Sequence, residues 1–325
     1  MSAERTPSQL ADGVRAGETR ALARAISLVE DGDPTAQELV RLLYRDTGRA
    51  HAVGLTGPPG VGKSSLISAL VAHVRARGLT VGVISVDPSS PFTQGALLGD
   101  RIRLAEHFLD PGVFIRSMGT RGHAGGLAET TLQSMLILDA AGKDVVFLET
   151  VGTGQNEIGV VSIADTVVLT LMPGSGDSVQ ALKAGIMEIP DVIAINKRDQ
   201  PLAAALATDV RQVLALGQGE APPIVMTEAL RGEGVEELWG AIESHKAALD
   251  DGGALEARRG ANLAAEVFAV ASARARRHLE NAVSNDPELL RLLNEVRGRT
   301  IDPLTAVHEI LRKVFHIDED SSDAR

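Results

Sequence analysis

The chain has 325 residues, 44% hydrophobic and 23% charged, with a formal net charge of −11; this suits one large α/β domain with added helices, or two domains. The negative balance argues against non-specific nucleic-acid binding and against an anionic membrane surface, so neither nucleic acid nor membrane is expected as a partner. With no cysteine, disulfides, thiolate metal sites and iron–sulfur clusters are excluded, and with 2% aromatics the core has to be built from Ala, Val, Leu and Ile.

The N-terminal segment has no apolar run of signal-peptide type, and no later run approaches bilayer length, so a soluble, cytoplasmic protein is expected. Residues 7–46 read as two helices: Ser8 to Val29 carries Leu10, Val14, Leu22, Ala25, Ile26 and Val29 at mostly helical spacing, and Pro34 opens a second stretch ending near Tyr44. From about 51 to 247, apolar runs alternate with helical patterns. The predicted strands are 51–56, 80–86, 113–117, 144–149, 166–172, 191–195 and 223–227. Several are near-continuous Val/Ile/Leu runs, as in DVVFLET and DTVVLTLMP, which marks parallel strands buried on both faces. The expected fold class is therefore α/β, a doubly wound, mostly parallel sheet. Gly252-Gly253 marks a boundary, after which 255–282 and 286–316 read as long helices, with Pro287 and Pro303 at helix starts. The expected domains are a helical extension at 1–48, a nucleotide domain at 49–250 and a helical region at 251–325.

Within the nucleotide domain, Gly57-Pro58-Pro59-Gly60-Val61-Gly62-Lys63-Ser64 matches G-x-x-x-x-G-K-[ST], and Ser65 follows it into the helix. The loop lies between a predicted strand and a predicted helix, the context in which the pattern cradles phosphates. Its glycines let backbone N–H groups converge on a phosphate chain, and the helix start adds its positive end. Lys63 is expected to reach the β- and γ-phosphates, and the Ser64 hydroxyl to ligate Mg²⁺.

Asn196-Lys197-Arg198-Asp199 follows the run VIAI. N-K-x-D is a guanine-reading pattern: guanine offers N1–H and N2–H₂ donors on one edge, and a carboxylate accepts both, whereas adenine has no such pair. Asp199 is thus expected to select GTP over ATP, with Asn196 bracing the loops and the Lys197 stem against the base. In the next loop, Thr227 and Ala229 are the counterparts of residues that touch the base through backbone groups; a plain strand-to-helix loop reads equally well there.

Two acidic positions complete the pattern. Glu149 ends the run FLE, where folds of this type place a Mg²⁺-associated acid, and Gly152 follows as the glycine whose N–H senses the γ-phosphate. Most GTPases carry Asp there, so Glu149 points away from Ras-like proteins. Asp87 ends an earlier strand at the same edge. Asp87 and Asp100 suit holding Mg²⁺-bound waters or positioning the attacking water, and capping helices or turns is the other reading. Arg101, Arg103 and Arg121 are candidates for a charge-stabilising arginine. The eight histidines show no metal-ligand spacing, and the charge run beginning EARRGANL reads as a helix with one solvated face.

In order and spacing, GPPGVGKSS, VDPSSPFTQGALLGDRIR, RGHAGGL, ETVGTGQNE, PGSGDSVQALKAGIMEIPD and NKRD resemble the MeaB/ArgK family. These are GTPase chaperones of adenosylcobalamin-dependent acyl-CoA mutases, methylmalonyl-CoA mutase above all. The resemblance spans roughly residues 10–315. It implies an acidic Mg²⁺ and water cluster of Asp87, Asp100 and Glu149. It implies a nucleotide-responsive switch from Pro173 to Lys183, with Asp177 and Lys183 as its polar contacts and Lys183 as a catalytic candidate. It implies GTP and GDP as ligands, a homodimer supported by the helical extensions, and a mutase partner; no cobalamin site is expected on this chain. Gln94, Thr153 and Asn156 depart from the family's usual residues in partner-facing loops, which leaves open a related mutase acting on isobutyryl-, 2-hydroxyisobutyryl- or ethylmalonyl-CoA. Two other functions remain open at this point: a small-molecule kinase on the same loop architecture, and a nucleotide-switched binding module with incidental hydrolysis.

Overall fold

The structure, a computed structural model, describes residues 5–87, 104–119, 124–150, 163–174, 190–217 and 220–316. The chain divides into two compact units, Met1–Glu266 and Val267–Arg325.

The first unit is built on seven strands: β1 His51–Thr56, β2 Val81–Asp87, β3 Val113–Gly119, β4 Val145–Thr150, β5 Thr166–Leu171, β6 Val192–Ile195 and β7 Ile224–Met226. Their order is β3-β2-β4-β1-β5-β6-β7, and every pairing is parallel. The doubly wound parallel sheet expected from the buried apolar runs is present. Three helices precede it: α1 Pro7–Arg15, α2 Thr19–Glu30 and α3 Pro34–Leu43. The stretch that reads as one helix from Ser8 to Val29 is two, because the chain breaks at Ala16–Glu18 with Gly17 at φ 70°. A left-handed residue ends a helix, and glycine adopts it without a Cβ penalty.

The other helices of this unit are α4 Lys63–Ala76, α5 Ala124–Ala140, α6 Ala203–Leu214, α7 Val235–Asp251 and the first part of α8 Ala254–Asn285. Alternate strand residues serve opposite faces. Val53, Leu55, Val83, Val145 and Phe147 pack with Leu66, Leu70 and Val74 of α4 and Leu238, Trp239 and Ile242 of α7. Ile84, Val86, Val146 and Leu148 pack on the other face with α5 and with Leu10, Ile26 and Leu39 of the N-terminal helices. The helical preface is thus part of the core, as its buried stripe requires.

At the amino ends of the strands, a polar network ties α8 to the sheet. Arg259 makes two 2.7 Å bonds to Asp165 and donates to the carbonyls of Gly48 and Ala50 at 2.5 and 2.8 Å. Arg258 is bidentate on Asp191 at 2.9 and 2.7 Å. The helix face expected to be solvated is therefore anchored at its start. Asp165 is 3% exposed at its side chain, so Arg259→Met leaves a carboxylate buried without its partner. The expected cost is about 3 kcal/mol in urea unfolding; a loss below about 0.5 kcal/mol, typical of an exposed pair, would contradict the clasp.

His51 joins the same region, its Nε2 2.9 Å from the Thr166 hydroxyl, which lies 2.9 Å from His245 Nδ1. Burial lowers the His51 pKa to about 4 from 6.5, against the opposite pull of Asp165. The unfolded imidazole therefore takes a proton first as pH falls. The stability linked to His51 is complete above pH 6.5 and disappears toward pH 4, a change of roughly 3 kcal/mol. His51→Gln is expected to flatten that part of the stability–pH curve; an identical slope in both proteins would refute the assignment.

The second unit holds the rest of α8, then α9 Pro287–Arg297 and α10 Pro303–Phe315. Asp286 and Asp302 cap α9 and α10, each followed by proline at the first helical position. Lys313 ties the two together through Asp286 at 2.8 Å and Glu288 at 2.5 Å. No helix among the described residues is long and apolar enough to cross a membrane.

Candidate functional site: a phosphate loop braced by an Asn-Lys-x-Asp loop

In a parallel sheet all strand carboxyl ends share one edge, and here the loops after β1, β6 and β7 meet along it beside the end of β4. From β1 the chain leaves toward β2, and from β5 it continues toward β6 on the other side. That reversal opens a crevice where ligands of such sheets bind.

Residues Gly57 to Gly62 form the loop between β1 and α4, and Lys63, Ser64 and Ser65 begin α4. Gly57 has φ 134°, and a Cβ there would lie 2.1 Å from the Thr170 carbonyl oxygen of β5. Gly62 has φ 95°, and its Cβ would lie 2.5 Å from Asn196 Nδ2. Only glycine lets the loop pass this close to both neighbours. Lys63 is 6% exposed and its Nζ donates to the carbonyls of Gly57 and Pro58 at 2.6 and 3.1 Å.

Glu149 sits near the end of β4, level with Leu55 of β1 and Ser85 of β2. It is buried, and its carboxylate accepts from the Ser64 hydroxyl at 2.5 Å and the Ser85 hydroxyl at 3.1 Å. Hydroxyl and carboxylate form an all-oxygen donor set, which fits a hard cation such as Mg²⁺. Among the described residues no three or more His, Cys, Asp or Glu side chains cluster as a metal cage. A cation at Ser64 and Glu149 would draw the rest of its shell from water and phosphate oxygens, the usual condition of Mg²⁺.

Asn196 is the joint of the site. Its Nδ2 donates to the Val61 carbonyl at 2.9 Å, and its Oδ1 accepts from the Ala229 N–H at 3.1 Å and the Thr227 hydroxyl at 3.3 Å. The side chain thus links the phosphate loop, the β6 loop and the β7 loop. Lys197 follows at φ 59°, and its Nζ reaches back to the Gly60 carbonyl at 3.1 Å. A left-handed lysine is uncommon and is held where surrounding contacts demand it; here the Arg198 N–H also donates to the Thr227 carbonyl at 3.0 Å. Asp199 is exposed on this loop.

Asp87 ends β2 at the same edge, with its side chain outside the described residues. Asp100, Gly152, Asp177 and Lys183 also lie outside them, as do Arg101, Arg103, Arg121, Gln94, Thr153 and Asn156. Two contributors were not singled out from sequence. Ser85 holds Glu149 from the neighbouring strand, signalled only by its place two residues before Asp87. Glu228 is buried between Thr227 and Ala229, and no spacing rule marks a carboxylate there.

Fold and site together define a phosphate-loop nucleotide-binding protein of the doubly wound class. A family model described as "Methylmalonyl Co-A mutase-associated GTPase MeaB" matches residues 22–284. A "Putative GTPase" of Pyrococcus abyssi is 44% identical over 313 residues, 94% of this chain and 96% of the relative. GTPase ArgK of Escherichia coli is 33% identical over 321 residues, 95% and 97% of the two chains. A crystal structure described as an LAO/AO transport system kinase superposes with a TM-score of 0.73 at 28% identity, covering 97% of this chain and 99% of that one. The chain belongs to the MeaB family of GTPases.

Proposed function

We propose that the chain hydrolyses GTP with Mg²⁺ and uses that hydrolysis to chaperone an adenosylcobalamin-dependent acyl-CoA mutase, gating cofactor loading and protecting the mutase from inactivation. The observation that carries the GTP reading is the Asn196 side chain, bonded at once to the phosphate loop and to the base-side loop. It joins the phosphate loop to the loops after β6 and β7, the first of which carries Asp199.

In this reading the N–H groups from Gly60 to Ser65 and the Lys63 ammonium hold the β- and γ-phosphates. Asp199 accepts from guanine N1–H and N2–H₂, with Lys197 beneath the base and Thr227 and Ala229 behind it. Ser64 and Glu149, with Asp87 and Asp100, would hold Mg²⁺, which neutralises charge on the phosphate oxygens when bound. Water attacks the γ-phosphorus in line with the bridging oxygen, and Lys63 and the loop amides stabilise the charge that develops there. Gly152 reports the γ-phosphate, and Lys183, in the switch beginning at Pro173, adds positive charge when the partner binds.

The partner reading rests on the family description, which is of mutase-associated GTPases. Methylmalonyl-CoA mutase is the leading partner, and the protein acts as a cytoplasmic homodimer through its helical extensions, without a cobalamin site of its own. The test is complex formation between the full chain and purified acyl-CoA mutases in GDP and in a non-hydrolysable GTP analogue. A nucleotide-dependent complex with one mutase supports the reading; no complex in either state would sink it. The kinase description of the superposed structure makes phosphoryl transfer the rival chemistry, and transfer of γ-phosphate to an acceptor other than water would favour it.

A further inference from the structure

On the sheet face covered by α4, Val81 and Val83 of β2 lie level with Val145 and Phe147 of β4, and all four belong to one apolar core. The next step along the same row pairs Ser85 with Glu149. Side chains two residues apart on a strand share a face, so these polar groups enter the layer that the valines fill. Ser85 is 2% exposed and Glu149 5%. A buried hydroxyl has to find a partner, and Ser85 donates to Glu149 Oε2 at 3.1 Å.

The other oxygen, Oε1, accepts from the Ser64 hydroxyl at 2.5 Å. The terminal torsion of a glutamate is broad and soft, so a bond to Oε1 alone leaves the plane of the carboxylate free to swing. A bond to Oε2 from a different element fixes that plane. We propose that Ser85 is a positioning residue for the divalent-cation site: by holding Oε2 it keeps Oε1 on the Ser64 hydroxyl. Ser64 then keeps its proton on Glu149 and meets a cation through its oxygen lone pairs. This rests on the reading of Ser64 and Glu149 as the residues that hold Mg²⁺.

The hydroxyl is not needed to align the two strands. Ser85 and Glu149 lie inside a continuous parallel ladder that runs from Val81 opposite Val145 to Val86 opposite Thr150, and backbone bonds set that register. Removing the hydroxyl therefore acts on the orientation of the carboxylate and leaves the sheet in place. Ser85 touches neither cation nor nucleotide in this account; it acts through Glu149.

The test is Mn²⁺ binding, as a stand-in for Mg²⁺, by the full chain with a non-hydrolysable GTP analogue, read as loss of the free-ion signal in electron paramagnetic resonance. Ser85→Ala is expected to bind Mn²⁺ about tenfold more weakly, the lower end of the loss when a group behind a metal ligand is removed. Its affinity for the analogue in EDTA is expected to equal that of wild type. Glu149→Asp, one methylene shorter, draws the carboxylate away from Ser85, so in that background Ser85→Ala is expected to change Mn²⁺ affinity by less than about twofold. Equal Mn²⁺ affinity in wild type and Ser85→Ala overturns the proposal, as does an undiminished loss in the Glu149→Asp background. If Ser85→Ala does not fold, Ser85→Cys, close in shape but a weak donor, takes its place with the same two outcomes. Wild type that binds Mn²⁺ no more tightly than the analogue does alone would instead overturn the Mg²⁺ reading beneath it.

Discussion

Lys63→Ala is expected to lower GTP turnover by about 10²- to 10³-fold or more, the loss seen when a preorganised charge on a transition state is removed. The ammonium is buried against its own loop carbonyls, so its removal relieves a buried charge and is not expected to unfold the protein. Near-normal turnover in a folded Lys63→Ala protein would refute the phosphate-loop role. Single-turnover kinetics with saturating GTP separates this from weakened binding, since Lys63 is proposed to act on the transferring phosphoryl group as well as on bound nucleotide.

The second large effect concerns the base. Asp199→Asn exchanges an acceptor-only group for an amide that presents a donor to guanine. Two hydrogen bonds to a charged acceptor are at stake, and GTP is expected to bind roughly 10²-fold or more weakly, with ATP binding no worse. Unchanged GTP affinity would remove the guanine assignment. The Asn196 brace predicts a broader failure: Asn196→Ala frees the phosphate loop and both base-side loops together, because one amide serves all three.

Much of this arrangement was legible in the sequence because its causes are local. Buried parallel strands have to be apolar throughout, so runs such as VVFLE and TVVLTL announced themselves, and strand ends differ from the expected limits by a residue or two. The phosphate loop was legible because close backbone approach requires Gly57 and Gly62, and the contacts to Thr170 and Asn196 supply the reason. What was not legible depends on residues far apart in the chain. The helical preface reads as an appendage, yet Ile26 and Leu39 share a core with Ile84 and Leu148, and periodicity does not say which face a helix covers. Arg258 and Arg259 read as part of a solvated stripe until Asp191 and Asp165 are brought to the same sheet edge. Glu228, buried just after a short strand, has no local signature, because a lone acid at that place follows no spacing rule.

GTP and ATP hydrolysis by the purified full chain, each with and without candidate acyl-CoA mutases, tests the central claim most directly. The account expects slow, GTP-selective turnover that one mutase stimulates several-fold. Turnover of ATP at a comparable rate, or GTP hydrolysis indifferent to every mutase tried, would contradict it.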